Sequence, residues 1–127
     1  NLNRQTRALN MSRLFTAQTE FAVCIARLIL YAEGLGYSLT FGDAYRDPRV
    51  TYGHPNSSHR KRLAVDFNLF KDGEWLQDTE SHRFLGEKWK LLHPLARWGG
   101  DFRDGNHYSF EWDQVAMNED TGANVFT

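Results

Sequence analysis

Between Ser12 and Glu33 apolar residues return at helical spacing: Leu14, Phe21, Ile25, Leu28 and Ala32, with Ala22 and Ile29 beside them. This periodicity predicts one amphipathic helix of about six turns with a single apolar stripe. Ser12 can cap its start, and Gly34 with Gly36 supplies the stop. A stripe of that length must be covered by another layer of secondary structure, so the rest of the chain has to provide one.

Beyond Gly36 the chain becomes strand-like. Tyr37 to Tyr45 is rich in aromatic and β-branched residues, predicting a strand that ends at Asp47-Pro48. A loop from Arg49 to Ser58 contains Gly53, Pro55 and Asn56. Leu63 to Phe70 alternates Leu63, Val65, Phe67 and Leu69 with Ala64, Asp66, Asn68 and Phe70, the signature of a second, central strand, and Lys71-Asp72-Gly73 supplies a turn. Asp78 or Thr79 can cap a helix over 80–92 whose inner face is Phe84, Leu85, Trp89 and Leu92, with Pro94 near its end. Gly99-Gly100 opens a loop, and His107 to Trp112 alternates again as a third strand. Two helices and short strands without a strand-helix-strand rhythm predict an α+β fold with a small, mainly antiparallel sheet. With 127 residues, the chain has room for one domain, 1–127.

Composition removes several classes of function. Fifteen basic against sixteen acidic residues leave a net charge of −1, so no broad positive field is available to hold a polyanion, and nucleic acid is not an expected partner. No uninterrupted apolar run approaches the roughly 18 to 20 residues of a membrane span, so no transmembrane segment is expected, nor is an export signal. Arg4, Arg7 and Arg13, with no acid before Glu20, form a basic start that either touches an anionic surface or is simply solvated. Cys24 is the only cysteine; it falls in the helical pattern and reads as a buried thiol.

Chemistry-bearing side chains gather on the segments assigned to the sheet. His59 precedes the second strand, Asp66 lies within it and His107 begins the third. Two imidazoles and one carboxylate are a suitable protein set for zinc, bonding at about 2.0 to 2.2 Å and leaving a fourth position open, as a catalytic site requires. Asp66 is the informative member, because a carboxylate within a sheet needs a cation or hydrogen-bond donors. Taken alone, His59 and Asp66 also fit a surface histidine and a hydrogen-bonded aspartate.

The wider pattern is more specific. Ser57-Ser58-His59 followed by Leu63-Ala64-Val65-Asp66, then Asp104-Gly105-Asn106-His107, resembles the zinc peptidases of the D-alanyl-D-alanine carboxypeptidase family. The run from His59 to Phe70, with Trp98-Gly99-Gly100-Asp101-Phe102, resembles its bacteriophage endolysin branch, the L-alanyl-D-glutamate peptidases. The resemblance spans roughly Tyr37 to Trp112. It implies the Hedgehog/D-Ala-D-Ala peptidase fold with its zinc site on the sheet, and it matches His59, Asp66 and His107 to the zinc ligands. Asp104 matches the catalytic acid-base carboxylate, Arg46 an arginine at the substrate carbonyl and Ser57 a residue near the substrate. His54, in the adjoining loop, lines the substrate groove or is solvated. Where the family has glycine, this chain has Arg62, so the backbone there is expected to avoid positive φ or the loop to differ. Aspartate at 104, where dipeptidases and carboxypeptidases usually carry glutamate, leans towards endopeptidase.

Zinc lowers the pKa of a water to about 7 and polarises a carbonyl. Asp104 would move the proton from water to the departing amine, and the Arg46 guanidinium would meet the developing oxyanion. Trp98 either packs beneath the metal or only fills the core, and His82 and His93 read as structural. The resemblance implies an endolysin, expected to be a monomer, that cleaves the peptidoglycan peptide stem, L-Ala–D-Glu being the favoured bond, to bring about host lysis. Lacking a wall-binding repeat, it reads as a bare catalytic domain, made in the host cytoplasm, released by another protein and acting on the wall in the periplasm. The alternatives are a D-alanyl-D-alanine carboxypeptidase of wall maintenance and, from a different class, a non-catalytic wall-binding module with structural zinc. The last would need a fourth protein ligand, for which neither the other histidines nor Cys24 has obvious spacing.

Overall fold

The computed structural model describes residues 2–43 and 61–112, with side chains from Arg13 onward. The first helix, α1, spans Leu2–Gly34. It begins ten residues before the expected Ser12 cap, because Leu2 to Met11 holds good helix formers and neither glycine nor proline, so nothing stops the helix there. Its end is as expected. Gly36, at φ 87°, lets the Tyr37 N–H reach back to the Ala32 carbonyl at 3.0 Å and closes the last turn.

Among the described residues five strands form the sheet rather than three: β1 Ser38–Phe41, β2 Ala64–Lys71, β3 Glu74–Leu76, β4 Ala96–Trp98 and β5 His107–Phe110. β3 and β4 have no sequence signal, since three residues are too few to display alternation. The expected Lys71-Asp72-Gly73 turn is a tight hairpin with positive φ at Asp72 and Gly73, and β3 is its return strand. The second helix, α2, is Arg83–Leu92, preceded by a 3-10 turn at Glu80–His82. Asp78 does the capping: its carboxylate accepts from the Ser81 N–H at 3.1 Å and the Ser81 hydroxyl at 2.6 Å. Gly99–Phe102 forms a second 3-10 turn in place of the expected loop.

All strand pairs are antiparallel, in the order β1-β2-β5-β4, with β3 also on β2. β2 is therefore central, as its pattern predicts, and the α+β class with a small antiparallel sheet is observed. Val65, Phe67 and Leu69 face the helices, where they pack with Phe21, Leu28, Leu85, Trp89, Trp98, Tyr108 and Phe110. Phe21 meets Trp89 and Phe110 edge-on, with ring centroids 5.6 and 5.1 Å apart. Among the described residues, Arg13–Gly34 is long and apolar enough by composition to cross a membrane. Ala17, Phe21, Cys24, Ile25, Leu28 and Ala32 of that helix are buried in the core, while Phe15, Val23 and Leu30 are exposed.

Candidate functional site

The strand period that sends Val65, Phe67 and Leu69 into the core turns Asp66 and Asn68 to the opposite, open face of β2. Asp66 and His107 are direct cross-strand partners of β2 and β5. Their side chains meet there, His107 Nδ1 lying 3.0 Å from Asp66 Oδ1, each about one-fifth to one-quarter exposed. An ionised carboxylate can only accept, so without metal the imidazole donates at Nδ1. This supplies the donor that the sequence demanded for Asp66.

Opposite Asp66, β1 continues into a two-against-one pairing. The Gly42 N–H donates to the Asp66 carbonyl at 2.7 Å, while the Asp66 N–H donates to the Asp43 carbonyl at 2.6 Å. Such a bulge fixes the aim of the residue it faces, here the carboxylate. Residues 44–60 follow Asp43 in the sequence, and after them the Lys61 carbonyl accepts from the Gln18 side-chain amide at 2.9 Å. Arg46, His54, Ser57 and His59 belong to that stretch and lie outside the described residues.

On the other side, the turn carrying Asp104 is tied down by groups from several elements. The Asp104 N–H donates to the Gly99 carbonyl at 2.9 Å, and the Asp104 carbonyl accepts the His107 N–H at 3.1 Å. Thr79 Oγ1 accepts from the Gly105 N–H at 3.2 Å, and the Trp98 indole N–H donates to the Gly105 carbonyl at 2.8 Å. The Asn106 carbonyl accepts from the Phe67 N–H, also at 2.9 Å. On the turn's own side, each of these bonds uses a backbone N–H or carbonyl. The Asp104 carboxylate is exposed and makes no hydrogen bond or ion pair among the described residues.

Trp98 is 1% exposed, its indole slotted between Gly86 of α2 and Gly100, where a Cβ at either position would overlap the ring. Of its two expected roles, core packing is observed, and the hydrogen bond to Gly105 adds a link that no sequence signal announced. Behind β5, buried His82 pairs its Nδ1 with the Tyr108 hydroxyl at 2.9 Å. Burial lowers the His82 pKa and raises that of Tyr108. His93 accepts the Leu95 N–H at Nδ1, 3.0 Å away, and Cys24 is buried with its pKa raised by desolvation. Both histidines are structural, as read from sequence.

Of the two alternatives at Arg62, avoidance of positive φ is not what is seen: the residue takes φ 58°, the left-handed conformation, and the loop before it, 44–60, lies outside the described residues. Anchors on both sides impose this: Gln18 holds the Lys61 carbonyl and the Phe110 N–H holds that of Leu63 at 2.9 Å.

No protein-family model matches the chain, and no curated protein matches it. Among the described residues there is no group of three or more His, Cys, Asp or Glu placed to hold a metal ion. Two of the three expected ligands, Asp66 and His107, are nevertheless adjacent, and the third, His59, is outside the described residues. Their chemistry fits zinc. Two ligands on one tetrahedral zinc stand about 3.3 to 3.6 Å apart, given bonds of about 2.0 to 2.2 Å, so the 3.0 Å pair would have to open by a few tenths of an ångström to share one ion.

Proposed function

We propose that this chain is a zinc-dependent peptidase of the phage endolysin type, hydrolysing an amide in the peptide stem of bacterial peptidoglycan, with the bond between L-alanine and D-glutamate favoured. The supporting observation is the Asp66–His107 pair on the open face of the sheet, with the uncommitted Asp104 carboxylate three residues before His107. Asp66 and His107, each from one of the sequence blocks that resemble the family, are the pair that supports the reading.

In this reading Asp66 and His107, with His59, hold zinc, which when bound supplies Lewis acidity towards a carbonyl and brings a water's pKa to about 7. Asp104 takes a proton from the attacking water and returns it to the departing amine; an exposed carboxylate with no other partner among the described residues is free to do both. Arg46 stays cationic and donates to the oxyanion as the carbonyl becomes tetrahedral. The bonds from the Thr79 hydroxyl, the Trp98 indole and the Gly99 carbonyl keep the Asp104 turn in register with β5, so base and ligand arrive together. The enzyme would be made in the host cytoplasm, act on the wall once released and cause lysis.

Mass spectrometry of purified peptidoglycan fragments after digestion tests this. Stems beginning at D-glutamate are expected, together with muramyl-L-alanine. Release of D-alanine alone would make the chain a carboxypeptidase, and intact stems with a folded, zinc-loaded protein would leave only a wall-binding module.

A further inference from the structure

The open face of β2 does not end at Asp66. Asn68 and Phe70 continue on the same side, and Phe70 is the direct cross-strand partner of Trp75 on β3. Their rings stack, with centroids 6.3 Å apart and planes inclined by 22°, and Trp75 is 52% exposed. Phe70 thus backs the indole and fixes its tilt while much of its surface stays in water. Between this aromatic pair and Asp66 stands Asn68, whose amide donates to Thr40 Oγ1 at 3.2 Å and whose side-chain carbonyl makes no hydrogen bond among the described residues. At about 3.3 Å per residue, the platform lies roughly 13 Å from Asp66 along the strand.

We infer that Trp75, backed by Phe70, is a saccharide platform: a subsite that stacks a pyranose ring of the glycan from which the cleaved peptide hangs. The inference rests on the peptidase reading for its choice of ligand. The observations that favour a sugar are its place on the same face as the candidate centre and its distance. In a muropeptide, one L-alanyl unit and a lactyl ether separate the first amide to D-glutamate from the muramic acid ring. Each spans at most about 3.6 Å, so the first ring begins roughly 7 Å from the reacting bond and its neighbour lies beyond. A glycan running along β2 brings that neighbour over Trp75. The indole face carries the negative side of its quadrupole, which suits the C–H edges on one side of a pyranose. Asn68, lying between, offers an acceptor to a ring hydroxyl or acetamido N–H.

The test uses the full chain with three probes: the N-acetylglucosaminyl-N-acetylmuramic acid disaccharide, the free stem peptide and the disaccharide-peptide. Titration with the disaccharide should shift the Trp75 indole N–H resonance, identified by its loss in Trp75→Phe. Wild type should cleave the disaccharide-peptide with a kcat/KM about threefold to tenfold above that on the free peptide, the range an aromatic stack provides. Trp75→Ala should bring that ratio to one, and Trp75→Phe, which keeps an aromatic face, should restore part of it. Absence of an indole shift, or a ratio that Trp75→Ala leaves in place, overturns the platform while leaving the peptidase reading intact. An indole shift with no cleavage of either peptide sinks the peptidase reading and keeps the platform.

Discussion

Replacing Trp98 by phenylalanine removes one N–H and part of one ring, and the structure allows its cost to be worked out. The lost donor leaves the Gly105 carbonyl, 2.8 Å away in the wild type, without its buried partner; an unsatisfied buried group costs about 1 to 3 kcal/mol. The smaller ring also leaves space between Gly86 and Gly100, and lost burial with incomplete collapse adds about 1 kcal/mol. The total, about 2 to 4 kcal/mol, would lower the melting temperature of a domain this size by roughly 8 to 15 °C. Urea unfolding followed by circular dichroism reads the same loss as a lower midpoint at unchanged slope. Because the bond holds the turn between Asp104 and His107, the Gly105 and His107 amides should also lose hydrogen-exchange protection beyond the global change. A loss below about 0.5 kcal/mol, within the range of neutral surface substitutions, would refute the idea that this bond secures the turn.

Four further outcomes are expected. Metal analysis should find one zinc per chain in the wild type and little after dialysis of His59→Ala or His107→Ala; full retention in both variants would remove them as ligands. Asp104→Asn should keep zinc and melting temperature but lose roughly 100-fold or more of its turnover on a defined muropeptide, as expected for a positioned general base. Comparing two variants at position 62 isolates its left-handed backbone: Arg62→Gly should be more stable than Arg62→Ala by about 1 kcal/mol, and equal stability would show that φ relaxes. The lowered pKa of His82 means that on acidification below about 6.5 the unfolded imidazole takes a proton the buried one refuses, so stability falls from there down to the native pKa. Melting curves of the metal-free protein from pH 7.5 to 5 should show this slope reduced in His82→Gln, and identical slopes would contradict it.

Strand β2 is legible from sequence because eight alternating residues leave only one face for Asp66, whereas its pairing with His107 on β5 follows from the sheet register, which alternation does not specify. The Asp104–His107 spacing is also legible, a short turn having little freedom. Other parts are not. Glu74–Leu76 and Ala96–Trp98 are strands only because β2 and β5 offer them edges, so their extended state is a tertiary effect that three residues cannot announce. Ser12 has the chemistry of a cap, but a cap needs a break behind it, and Leu2 to Met11 provides none. At position 62 a rule about residue type gives way to geometry imposed from either side. The indole of Trp98 reads from sequence as bulk, whereas its polar edge reaches the Asp104 turn through contacts that only the folded sheet creates.

Asp66 and His107 are separated by 41 positions along the chain and meet only when β5 lies down beside β2. In an unfolded polypeptide they are two unrelated side chains, so any cation they share recognises the completed sheet and ignores everything before it. Such an ion acts as a lock applied after assembly. At a free concentration a thousandfold above its dissociation constant it deepens the native basin by about 4 kcal/mol, and a chelator takes that increment away without touching a covalent bond. A nascent chain halted before His107 carries Asp66 without its cross-strand partner, so the pair comes into being only once the strand that bears His107 has been made.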